Sequence, residues 1–340
     1  MITSNMEQKR EIWLDVVRAF ACACVIMVHS PAKYDGLIPG QYALAPLTYI
    51  LMAWGVGLFF ALSGSLLLSK PVPLTTFYKK RFPRLIMPVL LWSVIYIVYD
   101  GWIDGNLTWS NFMTRLIMIP FDAQTPHLWF MYTLFGIYLV TPVFAMFLSK
   151  ASKRDVEILL CVWGVTLCVP YLESCNPKIA SVLTGIGILH NFSGFLWYAI
   201  LGFYLRKYNN WKINGWKFIT LVVVSFGLPL IINFSGILPL EVLNTQMSLS
   251  SVAMTAIPFL FFKNINFNQK SWRGIILFSK YSFGIYLFHI VLLKPLRSFL
   301  TQFHIHYAIQ IPITALLVGL FSYVVVRMLS KLPYSKYLLG

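Results

Sequence analysis

Acidic residues are scarce in this chain: Asp and Glu together number 11 of 340, and charged residues of both signs make up only 11%. Soluble domains carry about a quarter charged residues, so an ordinary water-soluble globular fold is excluded. The five cysteines, Cys22, Cys24, Cys161, Cys168 and Cys175, form no C-x-x-C pair. Four of them fall in apolar stretches, and they read as small core residues, which excludes a disulfide framework and a cysteine metal site. Internal repeats, low-complexity tracts and a soluble domain at either end are also lacking, so any chemistry belongs to the apolar segments or their loops.

What is abundant is apolar surface and basic charge. Hydrophobic residues are 58% of the chain and the mean hydropathy is +0.72, the composition of an all-α, polytopic membrane helix bundle. The net charge of +16 is not a nucleic-acid footprint. The basic residues occur in short runs between apolar stretches, where the positive-inside rule accounts for them, and no groove-reading motif is present.

Apolar runs of about 20 residues predict ten transmembrane helices, near 12–30, 45–68, 85–104, 126–148, 156–172, 186–205, 217–234, 246–262, 274–294 and 308–329. Alternate loops collect Lys9 and Arg10, then Lys70 to Arg84, Lys150 to Arg154, Arg206 to Lys217, Lys263 to Lys280, and Lys331 and Lys336. The intervening loops hold only Lys33, Arg115, Lys178, Lys294 and Arg297. This asymmetry places both termini in the cytoplasm and requires an even number of crossings. Residues 105–125 carry Trp109, Phe112, Leu116, Ile117 and Ile119 at near-helical spacing and are expected to lie in the outer interface, with Trp102 and Trp109 in its aromatic belt. Lys9 and Arg10 before an apolar run also resemble a signal peptide. Asp15 and Arg18 within that run, and the want of a small-residue cleavage site, favour a retained first helix. The expected unit is a single membrane-embedded domain over 1–340, with its helical core at 12–330.

Ionisable residues inside such segments mark function by default. Arg18 and His29 stand eleven residues apart in the first segment. At about 100° and 1.5 Å per residue they share one stripe, about 16 Å apart along the axis. Asp15 and Arg18 are an i, i+3 pair, which reads equally as a local ion pair or as a ligand-binding Arg18 with a partner. His29 has no carboxylate one turn away. A buried histidine is usually a hydrogen-bonded core residue, but an imidazole also suits abstraction of a hydroxyl proton. Lys79, Lys80, Arg81 and Arg84 form a dense cluster at the entrance to the third helix. Topogenic charge needs no such density, and forked guanidiniums at i, i+3 suit a polyphosphate. Trp54 to Ser65 is rich in Gly and Ser and admits close approach by a helix or an extended ligand. His127 and His289 join His29 in the outer half of the bundle. A three-histidine zinc site is conceivable, but no spacing is diagnostic, and no metal is expected. His190, His304 and His306 fall near outer ends without a clear role.

Five segments, in order, carry a resemblance: Leu14-Asp-Val-Val-Arg18 with His29 after ten intervening residues, Phe59-Phe-Ala-Leu-Ser-Gly64, Arg81-x-x-Arg84 leading to Pro88, His127-Leu-Trp-Phe130, and Gly284-Ile-Tyr-Leu-Phe-His289. Together they resemble the acyltransferase 3 family of integral membrane acyltransferases. The resemblance implies transfer of an acyl group, most often acetyl, from cytoplasmic acyl-CoA to a hydroxyl of a cell-surface carbohydrate or its lipid-linked precursor. It implies a multi-pass protein of a bacterial inner or plasma membrane. His29 matches the family's proposed catalytic histidine, Arg18 the basic partner of that motif, and Arg81 and Arg84 the pair associated with acyl-CoA. Asp15 and Lys80 extend those two groups. Ser63, His127, Trp129 and His289 are substrate or oxyanion candidates. The chain shows no extracytoplasmic hydrolase-like domain of the kind some relatives carry. Its layout is similar to short members that acetylate enterobacterial common antigen or modify exopolysaccharide.

Acetyl-CoA, membrane lipid and a carbohydrate acceptor are therefore the expected partners, nucleic acid is not, and a homo-oligomer is compatible with the sequence. His29 would act either as general base or through an acyl-histidine. Sugar-binding candidates on the outer face are Tyr34, Asp35, Trp102, Trp109, Asp122 and Gln124. Rival readings are a transporter with a proton relay through Asp15, Arg18 and the histidines, and an exporter that moves a polysaccharide without acylating it.

Overall fold

The computed structural model describes residues 11–31, 50–176, 178, 182, 192–236, 246–303 and 305–340, and among these every regular element is a helix. In chain order they are α1 (Ile12–His29), α2 (Ile50–Leu67), α3 (Leu74–Ile103), α4 (Trp109–Met118), α5 (Trp129–Lys150), α6 (Lys153–Cys175), α7 (Leu196–Lys207), α8 (Gly215–Phe234), α9 (Leu249–Lys263), α10 (Arg273–Thr301), α11 (Tyr307–Leu329) and α12 (Ser335–Leu339). A 3₁₀ turn, Pro126–Leu128, leads into α5. Each of the ten expected segments overlaps one of these helices, but only seven among the described residues are long and apolar enough to cross a membrane: α1, α2, α3, α5, α8, α10 and α11. Lys9, Arg10, Lys33, Tyr34, Asp35, His190 and His304 lie outside the described residues.

The third helix begins well before the expected position 85. Pro73, with extended backbone, is its N-cap, and the helix runs 30 residues from Leu74 through Pro83 and Pro88. Each proline removes one i to i−4 bond but does not end the helix, because membrane helices re-satisfy such gaps through neighbours. Arg81 and Arg84 thus stand on regular helix, not at a helix entrance. The 105–125 segment holds α4, whose start is capped by Thr108 accepting from the Asn111 amide at 3.2 Å. Trp102 and Trp109 are three-quarters exposed.

The glycines of α2 explain how the bundle closes. A Cβ on Gly64 would stand 1.9 Å from the carbonyl oxygen of Ala199, and one on Gly202 would stand 1.9 Å from that of Ala61. The two small pairs, Ala61 with Gly64 and Ala199 with Gly202, therefore bring the backbones of α2 and α7 into direct contact. Gly55 meets Val25 of α1, and Gly57 meets Thr255 of α9. At this level α2 contains a π-helical turn, Ala53–Gly57, a register change that leaves a carbonyl without its usual donor. The Thr255 hydroxyl lies 3.1 Å from the Ala53 oxygen and can donate to it. On the neighbouring end, the Lys263 ammonium caps the C-terminus of α7, donating to the carbonyls of Leu205, Arg206 and Asn209 at 2.6 to 3.0 Å.

Candidate active site

Helices α1, α2, α3, α5 and α10 share one end, where α1 carries Arg18 and α3 carries Arg81 and Arg84. These three arginines line a cavity of about 460 Å³, walled also by Ser63 and Leu66 of α2, Phe130 and Tyr138 of α5, Ser282 and Tyr286 of α10, and Gly340. The i, i+3 spacing does what a helix requires, placing both α3 guanidiniums on one wall. Lys79 and Lys80 are exposed and do not line that cavity, although Lys80 is one helical turn from Arg84. Arg18 also lies 3.8 Å from the carboxylate of Asp15. Asp15 is buried and accepts from the Ser279 hydroxyl at 3.0 Å. Asp15 thus pairs locally with Arg18, and Arg18 also lines the cavity.

Three histidines meet toward the opposite end. His29 ends α1, His127 occupies the 3₁₀ turn before α5, and His289 lies within α10. Their ring centres are 6.3 Å apart for His29 and His127, 5.4 Å for His29 and His289, and 5.3 Å for His127 and His289. His29 is half-buried; the other two are buried, and each has an Nε2 without a hydrogen-bond partner. His289 Nδ1 lies 2.6 Å from the Tyr286 carbonyl. The Tyr286 hydroxyl in turn donates to the His127 carbonyl at 2.5 Å, and Tyr96 donates to the Leu287 carbonyl at 2.7 Å. These two tyrosines, not singled out from the sequence as site residues, tie the turn that carries His127 to α10 and α10 to α3. A signal existed for Tyr286, which stands one helical turn before His289. Among the described residues, no group of three or more His, Cys, Asp or Glu side chains is arranged to hold a metal ion.

Two spaces adjoin this trio. A narrow neck of about 30 Å³, lined by His29, Val56, Phe59, His127, Trp129, Phe130 and Tyr286, shares Phe59, Phe130 and Tyr286 with the arginine cavity. A second cavity of about 690 Å³ opens beyond His29 and His127, between α1, α3 and α10, and includes Asp100, Asp104, Thr125, Lys294 and Arg297. Lys294 and Asp100 pair at 2.5 Å, and Arg115 approaches the other Asp100 oxygen at 3.7 Å. Trp129 is beside the neck. Ser63 is elsewhere: it lines the arginine cavity, and its hydroxyl donates to the Phe59 carbonyl of its own helix at 2.8 Å. Of the sugar candidates, Gln124 is held by Arg115 at 3.2 and 2.7 Å, and Asp122 is exposed. Neither they nor the two exposed tryptophans line the second cavity.

An arginine-lined pocket and a pocket that holds Asp100 and Lys294 lie on either side of the histidine trio, all carried on apolar helices. The model of an acyltransferase domain, that of the acyltransferase 3 family, matches residues 11–330. The chain belongs to the acyltransferase 3 family. This acyltransferase is a multi-pass membrane protein, and the match spans every helix that contributes to the cavities. No curated protein and no solved structure matches the chain.

Proposed function

We propose that this family member moves an acyl group, most fittingly acetyl, from cytoplasmic acyl-CoA to a hydroxyl of a carbohydrate or its lipid-linked precursor at the other face of a bacterial cell membrane. The observation that supports the reading is the two-cavity geometry: an arginine-lined pocket and a pocket that holds the Asp100–Lys294 pair lie on either side of the space beside His29. Arg18, Arg81 and Arg84 suit the polyphosphate end of acyl-CoA, since guanidiniums bind phosphate through paired, charge-assisted bonds. The apolar stretch from Phe59 and Phe130 to the neck suits the thioester arm. The space beside His29 is far smaller than either flanking cavity, which suits a small acyl group better than a polysaccharide chain.

In this reading His29 takes the proton of the acceptor hydroxyl, whose oxygen forms the new ester bond at the thioester carbon. The carbon–sulfur bond breaks, and His29 returns the proton to the departing thiolate, so atoms and charge balance. Trp129, with its indole N–H, and His127 border the neck and are the donors for the oxygen that gains negative charge. Asp100, Asp104, Thr125, Lys294 and Arg297 supply the polar wall for the acceptor.

The test is acetyl-CoA binding to the purified protein in detergent. The Arg81→Ala, Arg84→Ala double variant removes two charge-assisted contacts of about 1.5 kcal/mol or more each, so binding weakens on the order of 100-fold. Equal binding by both proteins, or none by a folded wild type, overturns the assignment and favours transport.

A further inference from the structure

We infer that His289 is a positioning residue, a hydrogen-bond acceptor that orients His29; the role rests on the acyl-transfer reading above. The Nδ1 of His289 lies 2.6 Å from the Tyr286 carbonyl oxygen. A carbonyl can only accept, so the proton of a neutral His289 is on Nδ1 and its Nε2 carries a lone pair. His289 therefore has no second N–H for an oxyanion unless it is charged. Its Nε2 is fully buried and without a partner among the described residues. A bare lone pair in an apolar interior costs the free energy of a missing hydrogen bond, which points to a donor that engages it during the reaction.

The neighbours narrow the choice. The Tyr96 and Tyr286 hydroxyls are already committed to backbone carbonyls. The rings of His29 and His127 remain, at 5.4 and 5.3 Å. Two imidazoles joined by an N–H···N bond have ring centres about 5 Å apart, from roughly 2.9 Å between nitrogens plus about 1.1 Å within each ring. Both border the neck and the acceptor cavity, but His127 is buried whereas His29 is only half-buried and is the one open to an acceptor hydroxyl. With one His29 nitrogen donating to His289, the other keeps its lone pair for the acceptor hydroxyl. The imidazolium then formed already faces an acceptor, the logic by which a carboxylate orients a catalytic histidine, with a neutral ring in its place. His289 gains and loses no proton in the cycle. The titratable groups around the pair are Tyr96 from α3, His127 from the turn before α5 and Tyr286 from α10, while Asp100, Asp104, Lys294 and Arg297 line the adjoining cavity.

The experiment uses protein labelled with ¹⁵N in its six histidines, as wild type, His289→Gln and His289→Phe. The resonance missing from the two variants is expected to show protonated Nδ1 and bare Nε2; a protonated Nε2 overturns the inference without reference to activity. In turnover, His289→Phe is expected to lose about 100-fold in kcat, the scale of general-base assistance, with acetyl-CoA affinity unchanged. His289→Gln, whose amide oxygen reaches the place of Nε2, should recover most of that loss. Equal kcat in wild type and His289→Phe, or equal loss in both variants, overturns it. If His289→Phe does not fold, the tautomer and a kcat of His289→Gln near wild type decide. A folded wild type that binds acetyl-CoA yet acylates no hydroxyl refutes the acyl-transfer reading itself, whatever the tautomer.

Discussion

At the level of single residues, the division of labour between Arg18 and His29 follows from where α1 puts them. The helix carries Arg18 in the wall of one cavity and His29 at the mouth of the other, so removing either affects a different step. His29→Ala is expected to lower kcat by about 10²- to 10⁴-fold while acetyl-CoA affinity, measured by binding, stays as in wild type, because His29 is not part of the arginine cavity. Lost affinity with kcat intact would reverse that assignment. Asp15 is a buried carboxylate beside an arginine that lines a cavity. Pairing and the Ser279 hydrogen bond offset the cost of burial and restrict Arg18 to one direction.

At the level of elements, α2 is defined by contacts on several sides at once. Gly64 and Gly202 permit backbone contact between α2 and α7, and Gly55 and Gly57 seat α1 and α9. Gly64→Leu and Gly202→Leu each force helices apart where only backbone is available to yield, and should destabilise the fold by roughly 2 kcal/mol or more. Gly136→Ala on α5, where a Cβ meets nothing within 4 Å, should leave it unchanged. Thermal unfolding in one detergent, followed by loss of monodisperse protein, compares the three; a Gly64→Leu variant as stable as Gly136→Ala would show that the contact is dispensable. The small residues of Trp54 to Ser65 thus serve helix packing through their glycines, and Ser63 alone of the pair Ser63 and Ser65 borders a cavity.

For the whole molecule, the proposed transfer requires the two cavities to open to different sides of the membrane. It requires Lys79 and the arginine cavity to face the cytoplasm, as the positive-inside rule predicts, and Asp104 with the second cavity to face out. In a background with the native cysteines replaced, Lys79→Cys should react with a membrane-impermeant maleimide only in inside-out vesicles and Asp104→Cys only in right-side-out ones. Reaction of both from one side would remove the two-sided mechanism. The same measurement on Lys336→Cys reports the side of the C-terminal segment, expected to match Lys79.

Helix positions, and the arginines and histidines that line the cavities, were legible from the chain because both are local: apolar run length, 3.6-residue periodicity and the presence of His or Arg in an apolar run are read along one segment. Arg81 with Arg84, and Arg18 with His29, could be placed on common stripes for the same reason. The start of α3 was misplaced because its first turns are basic and exposed, so hydropathy there reports side-chain solvation and not backbone hydrogen bonding. The meeting of His29, His127 and His289, the Asp100–Lys294 pair and the bonds from Tyr96 and Tyr286 to α10 and the His127 turn come from how helices distant in sequence pack. That packing is set by glycine contacts and interhelical hydrogen bonds whose partners no single segment specifies. The sequence by itself determined a basic-sided bundle of apolar helices and which groups could do acyl chemistry; the tertiary structure decided which of them share a cavity, because proximity across helices is a property of the packed bundle and of no helix alone.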